Sequence, residues 1–280
     1  MKRLIFVLAL SLFGLMSGSV LAGEREDALA LVDSGLVLVR RVCSYTIQVT
    51  RAPGVKEEAT IIELGAAGGT GFFVDKPMPE ANQYAVFTAG HVPDCAYDGF
   101  AGFLKKHSFS GKVLSLTLRT NLMRLEVLYK GNWYPAQAED IRDENIYPDF
   151  GFLILTAILP EEIRPYKIPY GLKRGRDYRV ASRVVFSGYM GTDDGFMKML
   201  DEALIIELAE NSFRISLAAC PGMSGSPILF WKDRKYFAIG VVSAGYFMGS
   251  NPQVLACGDS VKSSIITDLD FLNTEQQQKP

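Results

Sequence analysis

The sequence predicts an all-β fold of the barrel or sandwich kind. Three observations point there: short apolar and β-branched runs recur along the chain, Gly, Pro, Asn and Asp separate them, and helical periodicity is scarce. The first set of runs comprises Leu36–Val39, Ser44–Val49, Gly71–Val74, Tyr84–Thr88, Val113–Leu118 and Leu125–Tyr129. A Pro-rich bridge between Leu159 and Pro169 leads to a second set: Arg179–Ala181, Arg183–Tyr189, Ala203–Leu208, Phe213–Ser216 and Phe237–Ser243. Another apolar run, Ile228–Trp231, follows a Gly- and Pro-rich octapeptide. Two helices are expected. One spans Asp27–Ser34. The other spans Ser260–Leu272, where Val261, Ile265, Leu269 and Leu272 form a helical stripe that would close the fold. Residues 273–280 read as a polar, flexible tail.

Residues 1–22 read as a secretory signal peptide. Lys2 and Arg3 open it, an apolar run follows from Leu4, and Val20-Leu21-Ala22 forms a small-residue cleavage site. No other segment approaches the ~20 apolar residues of a spanning helix, so a soluble, exported protein is expected, periplasmic or extracellular, with no membrane contact after signal removal. Of 29 basic residues, Lys2 and Arg3 leave with the signal, so 27 face 31 acidic ones, a formal charge of −4. That balance, with no large basic cluster, excludes a nucleic-acid footprint. Cys43, Cys95, Cys220 and Cys257 are an even count, which in an exported chain suggests two disulfides with three pairings open. With no Cys-x-x-Cys and no Cys/His cluster, neither a metal nor a cofactor is expected.

Chemistry concentrates in Cys220-Pro221-Gly222-Met223-Ser224-Gly225-Ser226-Pro227. A Ser between two glycines has bare backbone on both sides, which suits a nucleophile beside peptide N–H donors. Gly, Ser and Pro also make ordinary turns, so the octapeptide alone does not decide. Of the two histidines, His107 lies in a basic, solvated stretch, whereas His91 follows a strand and the small residues Ala89 and Gly90. Asp149 opens the apolar run Phe150–Leu155, and a carboxylate buried there needs a donor such as an imidazole N–H. Asp140 and Asp143 sit in a polar stretch and are expected to be exposed. The Gly65–Gly71 region has no phosphate-loop pattern, and the order His, Asp, Ser is the reverse of an α/β-hydrolase.

With these residues in view, the chain resembles the chymotrypsin-like (trypsin-like) serine proteases. Gly69-Thr70-Gly71-Phe72-Phe73-Val74 with Thr88-Ala89-Gly90-His91 looks like their histidine turn, Asp149–Leu155 like their aspartate strand, and Gly222–Pro227 like their nucleophile loop. The resemblance spans about residues 36–265 and implies two six-stranded antiparallel barrels. The first, over 36–160, would carry His91 and Asp149. The second, over 161–272 with a short closing helix, would carry Ser224, and residues 23–35 would lie ahead of both. It further implies an exported endopeptidase acting on protein or peptide substrates. The triad would be His91, Asp149 and Ser224, and the N–H groups of Gly222 and Ser224 would form the oxyanion hole.

Further implications are finer. Ala218 falls at the base of the specificity pocket, where the lack of an acid disfavours cleavage after Arg or Lys, and Ser243-Ala244-Gly245 resembles the strand that pairs with substrate. A Cys220–Cys257 disulfide is implied, with Cys43 and Cys95 as the other pair. One departure stands out. Met223 replaces the Asp that in many animal members holds a newly cleaved N-terminus, so the chain looks more like bacterial or viral relatives. The alternative is a catalytically silent binding protein on the same fold.

Overall fold

A computed structural model describes residues 23–52, 55–63, 68–78, 83–95, 115–142, 148–192, 195–247 and 261–273. Six strands close the first barrel: β1 (Leu36–Ala52), β3 (Gly69–Val74), β4 (Ala85–Thr88), β7 (Phe150–Leu155), β6 (Asn132–Arg142) and β5 (Ser115–Tyr129), in that spatial order, with β5 returning to β1. Strand β2 (Val55–Glu63) lies outside the ring, paired with β1 from Cys43↔Glu63 to Ala52↔Val55. The second barrel closes in the order β10 (Ser212–Ile215), β13 (Val261–Asp268), β12 (Lys235–Phe247), β11 (Pro227–Lys232), β8 (Arg183–Thr192) and β9 (Gly195–Leu208). Every pairing in the ladders is antiparallel. Two six-stranded antiparallel barrels in tandem are the chymotrypsin-like fold.

The strands richest in apolar residues form the walls of the core. All of β3 and β4 is buried, as is nearly all of β7. Phe87 on β4 is the hub, meeting Phe72, Phe150 and Phe152 edge-on at centroid distances of 6.0, 4.8 and 6.0 Å. This core runs through the junction into the second barrel, where Val185, Leu229, Ala238, Val241 and Leu269 join it. A separate cluster fills the second barrel, including Phe186, Phe213, Ile228, Met223 and Ile266. The shared core fixes the two barrels against each other, so residues at the junction form one site.

Several expectations need correction. The stripe over Ser260–Leu272 is not a helix: Val261–Asp268 is strand β13, and only residues 270–273 turn helically. Residues four apart share a face of a strand as well as of a helix, so that spacing could not discriminate. Both faces of β13 are buried from Ser263 on apart from the half-buried Ile265, and Ser264, Thr267 and Asp268 are hydrogen-bonded rather than solvated, which hides the alternation. The opening helix, α1, covers residues 23–33 and starts ahead of the expected Asp27. Its Val32 is 1% exposed and packs into the first core, so the segment before β1 is built into the fold. The runs at Leu36–Val39 and Ser44–Val49 are one strand, bridged by the buried Arg41 and Cys43. Arg179–Ala181 lies at a turn, with Ala181 at φ 67°.

Candidate active site

Asp149 precedes β7 at the end of the first barrel and is completely buried. Burying a carboxylate requires donors, and four bonds reach this residue. The His91 N–H donates to Oδ1 at 3.0 Å, His91 Nδ1 lies 2.9 Å from Oδ2, and Ser243 Oγ donates to Oδ2 at 2.5 Å. Thr267 Oγ1 donates to the Asp149 carbonyl at 2.9 Å. Two of these donors come from the second barrel, Ser243 from β12 and Thr267 from β13. Sequence reasoning paired Asp149 with an imidazole and placed Ser243 on a substrate wall. The structure brings the Ser243 hydroxyl to the acid, a bond of the side chain that leaves the strand edge aside.

His91 sits in the turn after β4 and is 4% exposed. Gly90 lets that turn lie flat on its neighbours: a Cβ there would stand 1.7 Å from the Arg142 carbonyl oxygen. Behind the turn, Arg41 on β1 donates to the carbonyls of His91 and Val92. Two residues along the same strand, Cys43 is disulfide-bonded to Cys95. One strand thus braces the turn by a buried cation at one end and a covalent bond at the other.

The loop before β11 belongs to the second barrel. Gly222 and Gly225 both adopt φ +87°, which glycine alone enters without strain. A Cβ at Gly225 would stand 2.0 Å from the Thr70 carbonyl oxygen. The peptide groups of the loop are almost all engaged. The Pro221 carbonyl accepts from Gly191 N–H at 2.8 Å, Gly222 from Thr70 Oγ1 at 2.9 Å, and Ser224 from Thr70 N–H at 2.8 Å. Met223 N–H reaches the Cys220 carbonyl at 3.0 Å, Ser226 N–H the Met223 carbonyl at 3.0 Å, and Gly225 N–H the Val242 carbonyl at 2.8 Å. Among the described residues, the N–H groups of Gly222 and Ser224 donate to nothing. In a trans peptide the N–H opposes the C=O. The Gly222 N–H therefore points away from Gly191, the partner of the Pro221 carbonyl.

The two serines of the loop differ sharply. Ser224 is half-buried. Ser226 is fully buried, and its Oγ has no described partner where it packs on Gly188, whose added Cβ would lie 1.8 Å away. Met223 is fully buried in the second core, and its Sδ accepts from the Cys220 N–H at 2.9 Å. It fills with apolar contact the position where an acid would seek a cation.

Ala218 is half-buried in the segment leading to this loop, and Ser264 Oγ ties the preceding Leu217 carbonyl down at 2.6 Å. Ala244 and Gly245 pair with Ile265 and Ser264 of β13. The β11 ladder ends at Pro227↔Val241, so the other edge of Ser243–Gly245 faces no described strand. Cys220 is disulfide-bonded, while Cys257 and His107 lie outside the described residues. Asp140 is half-buried and pairs with Arg142 at 2.8 Å; Asp143 is outside the described residues. No described helix is long and apolar enough to cross a membrane.

No protein-family model and no curated protein matches this chain. Among solved structures, it is similar to the Rv3671c protease of M. tuberculosis in its active form. The two are 15% identical, with a TM-score of 0.47, over 90% of this chain and 83% of that one.

Proposed function

We propose that the protein is an exported serine endopeptidase that hydrolyses peptide bonds through His91, Asp149 and Ser224. The hydrogen-bond pattern of the 220–226 loop carries this reading: among the described residues its other N–H groups are engaged, and the two left undonated are those of Gly222 and of Ser224 itself, on either side of Met223. Peptide N–H groups without protein partners are costly unless something else is to accept from them.

The chemistry follows from the bonds. With Nδ1–H donated to Asp149, a neutral His91 ring carries its lone pair on Nε2. Nε2 takes the proton of Ser224 as Oγ attacks the acyl carbon, and the buried Asp149 stabilises the imidazolium. The oxyanion accepts from Gly222 N–H and Ser224 N–H. Collapse breaks the C–N bond, the amine leaves with the proton from His91, and water hydrolyses the acyl-enzyme by the same route. A substrate strand pairs along the open edge of Ser243–Gly245, and Ala218 leaves the pocket base uncharged. The Cys43–Cys95 disulfide supports an oxidising compartment and hence export.

The test is cleavage of a peptide library by the purified protein with Ser224→Ala as control. Cleavage by wild type alone is expected. A folded wild type that cleaves nothing overturns the reading and favours a silent binding protein, and equal cleavage by both overturns Ser224 as the nucleophile.

A further inference from the structure

We infer that the Thr70 hydroxyl is the positioning group that keeps the 220–226 loop in its donating shape, an inference that rests on the serine-protease reading above. The loop needs an external hold. Met223 is apolar and buried, so no ion pair from that position anchors it. Gly222 sits at φ +87°, a conformation glycine enters and leaves easily, and although the Gly191 N–H holds the Pro221 carbonyl, the carbonyl of the next peptide, Gly222–Met223, has no main-chain donor among the described residues.

Thr70 supplies the hold from the opposite barrel. It lies on β3, is 0% exposed, and faces both the loop and β8. Its hydroxyl donates to the Gly222 carbonyl at 2.9 Å and accepts from the Tyr189 N–H at 2.9 Å. Its own N–H donates to the Ser224 carbonyl at 2.8 Å. One residue thus grips the carbonyls on both sides of Met223. Its carbonyl in turn accepts from Thr88 Oγ1 at 2.7 Å, at the end of the strand that leads to His91. The main-chain bond would survive any substitution, whereas the two hydroxyl bonds belong to the side chain alone. Without them the Gly222–Met223 peptide, which links the two donor-bearing peptides, loses the donor at its carbonyl, and rotation about Gly222 can move the Gly222 and Ser224 N–H groups out of their common aim.

The test compares Thr70→Val, Thr70→Ala and Thr70→Ser with wild type. Thermal unfolding confirms that each is folded. Two probes report the site: the second-order rate of labelling by a fluorophosphonate, and acylation by p-nitrophenyl acetate resolved into a rate constant and a binding constant. Thr70→Val and Thr70→Ala are expected to lose at least tenfold in both rates with the ester's binding constant unchanged. Thr70→Ser, which keeps the hydroxyl, is expected to stay within about threefold of wild type.

Wild-type rates in either folded hydroxyl-free variant overturn the inference, as does a folded Thr70→Ser no faster than Thr70→Val. If both hydroxyl-free variants are unfolded while Thr70→Ser is native, the hydroxyl serves stability and the positioning role is overturned too. A wild type that does not react at all refutes the protease reading, a different result from equal reaction in all four proteins.

Discussion

The acid–histidine side of the junction and the 220–226 loop use the same kind of bond to opposite ends. Asp149 is saturated: its carboxylate accepts from a main-chain N–H, an imidazole and a hydroxyl, and it is sealed from water. In the loop, among the described residues, every N–H has an acceptor except those of Gly222 and Ser224. A buried charge must have every lone pair answered, whereas a site that stabilises a transient charge must keep donors in reserve and still hold them rigid. The first demand is met by crowding donors around one residue. The second is met by tying down the carbonyls on either side of the donors.

The comparison predicts unequal sensitivities. Asp149→Asn should be the severest change short of losing His91 or Ser224. The amide cannot accept at every position the carboxylate does, and it misorients the imidazole; we expect the rate constant for hydrolysis to fall by about 10⁴ with the protein folded, measured by steady-state kinetics. Gly225→Ala should act through structure instead. A Cβ at φ +87°, 2.0 Å from the Thr70 carbonyl oxygen, forces the loop away from β3. Denaturant unfolding should show a loss of about 2–4 kcal/mol, together with loss of activity.

Ser243→Ala removes one donor of several from the acid. Its effect should be about 1–2 kcal/mol, or roughly tenfold in rate, with substrate affinity little changed. A large rise in KM with an unchanged rate would instead assign the Ser243 hydroxyl to substrate binding. The smallest effect concerns a carboxylate remote from the site. Bonds from Arg176, the Lys173 N–H and Lys232 hold Asp177 well below the usual carboxylate range. Its stabilisation is fully present above the ordinary carboxylate pKa near 4 and is lost as pH falls below it toward the depressed folded value. Asp177→Asn should therefore lower Tm by a few degrees at pH 7, with the gap to wild type closing in acid.

The contrast also explains what the sequence could and could not convey. Strands β3, β4 and β7 are apolar on both faces and were legible, as was the order of His91, Asp149 and Ser224. Strand β6 was not expected, because it alternates half-buried polar residues and contains Pro135. Strand β13 was misread because Ser263, Ser264, Thr267 and Asp268 are buried polar residues, and Ser264, Thr267 and Asp268 find partners at Leu217, Asp149 and Tyr178, far away in the chain. The same holds for the site. An imidazole for Asp149 could be argued from chemistry alone, but Thr70 meets Gly222 across 152 residues. Arg41 meets His91 across 50. Only the closed barrels and their shared core bring such residues together.

Ser224, rather than Ser226 two residues on, is the proposed attacking group. The most direct measurement is the site and stoichiometry of fluorophosphonate modification, read by intact mass and peptide mapping on wild type and Ser224→Ala. The account expects one equivalent on Ser224 in wild type and none in the variant. Modification at Ser226, equal labelling of both proteins, or an unmodified wild type would contradict it.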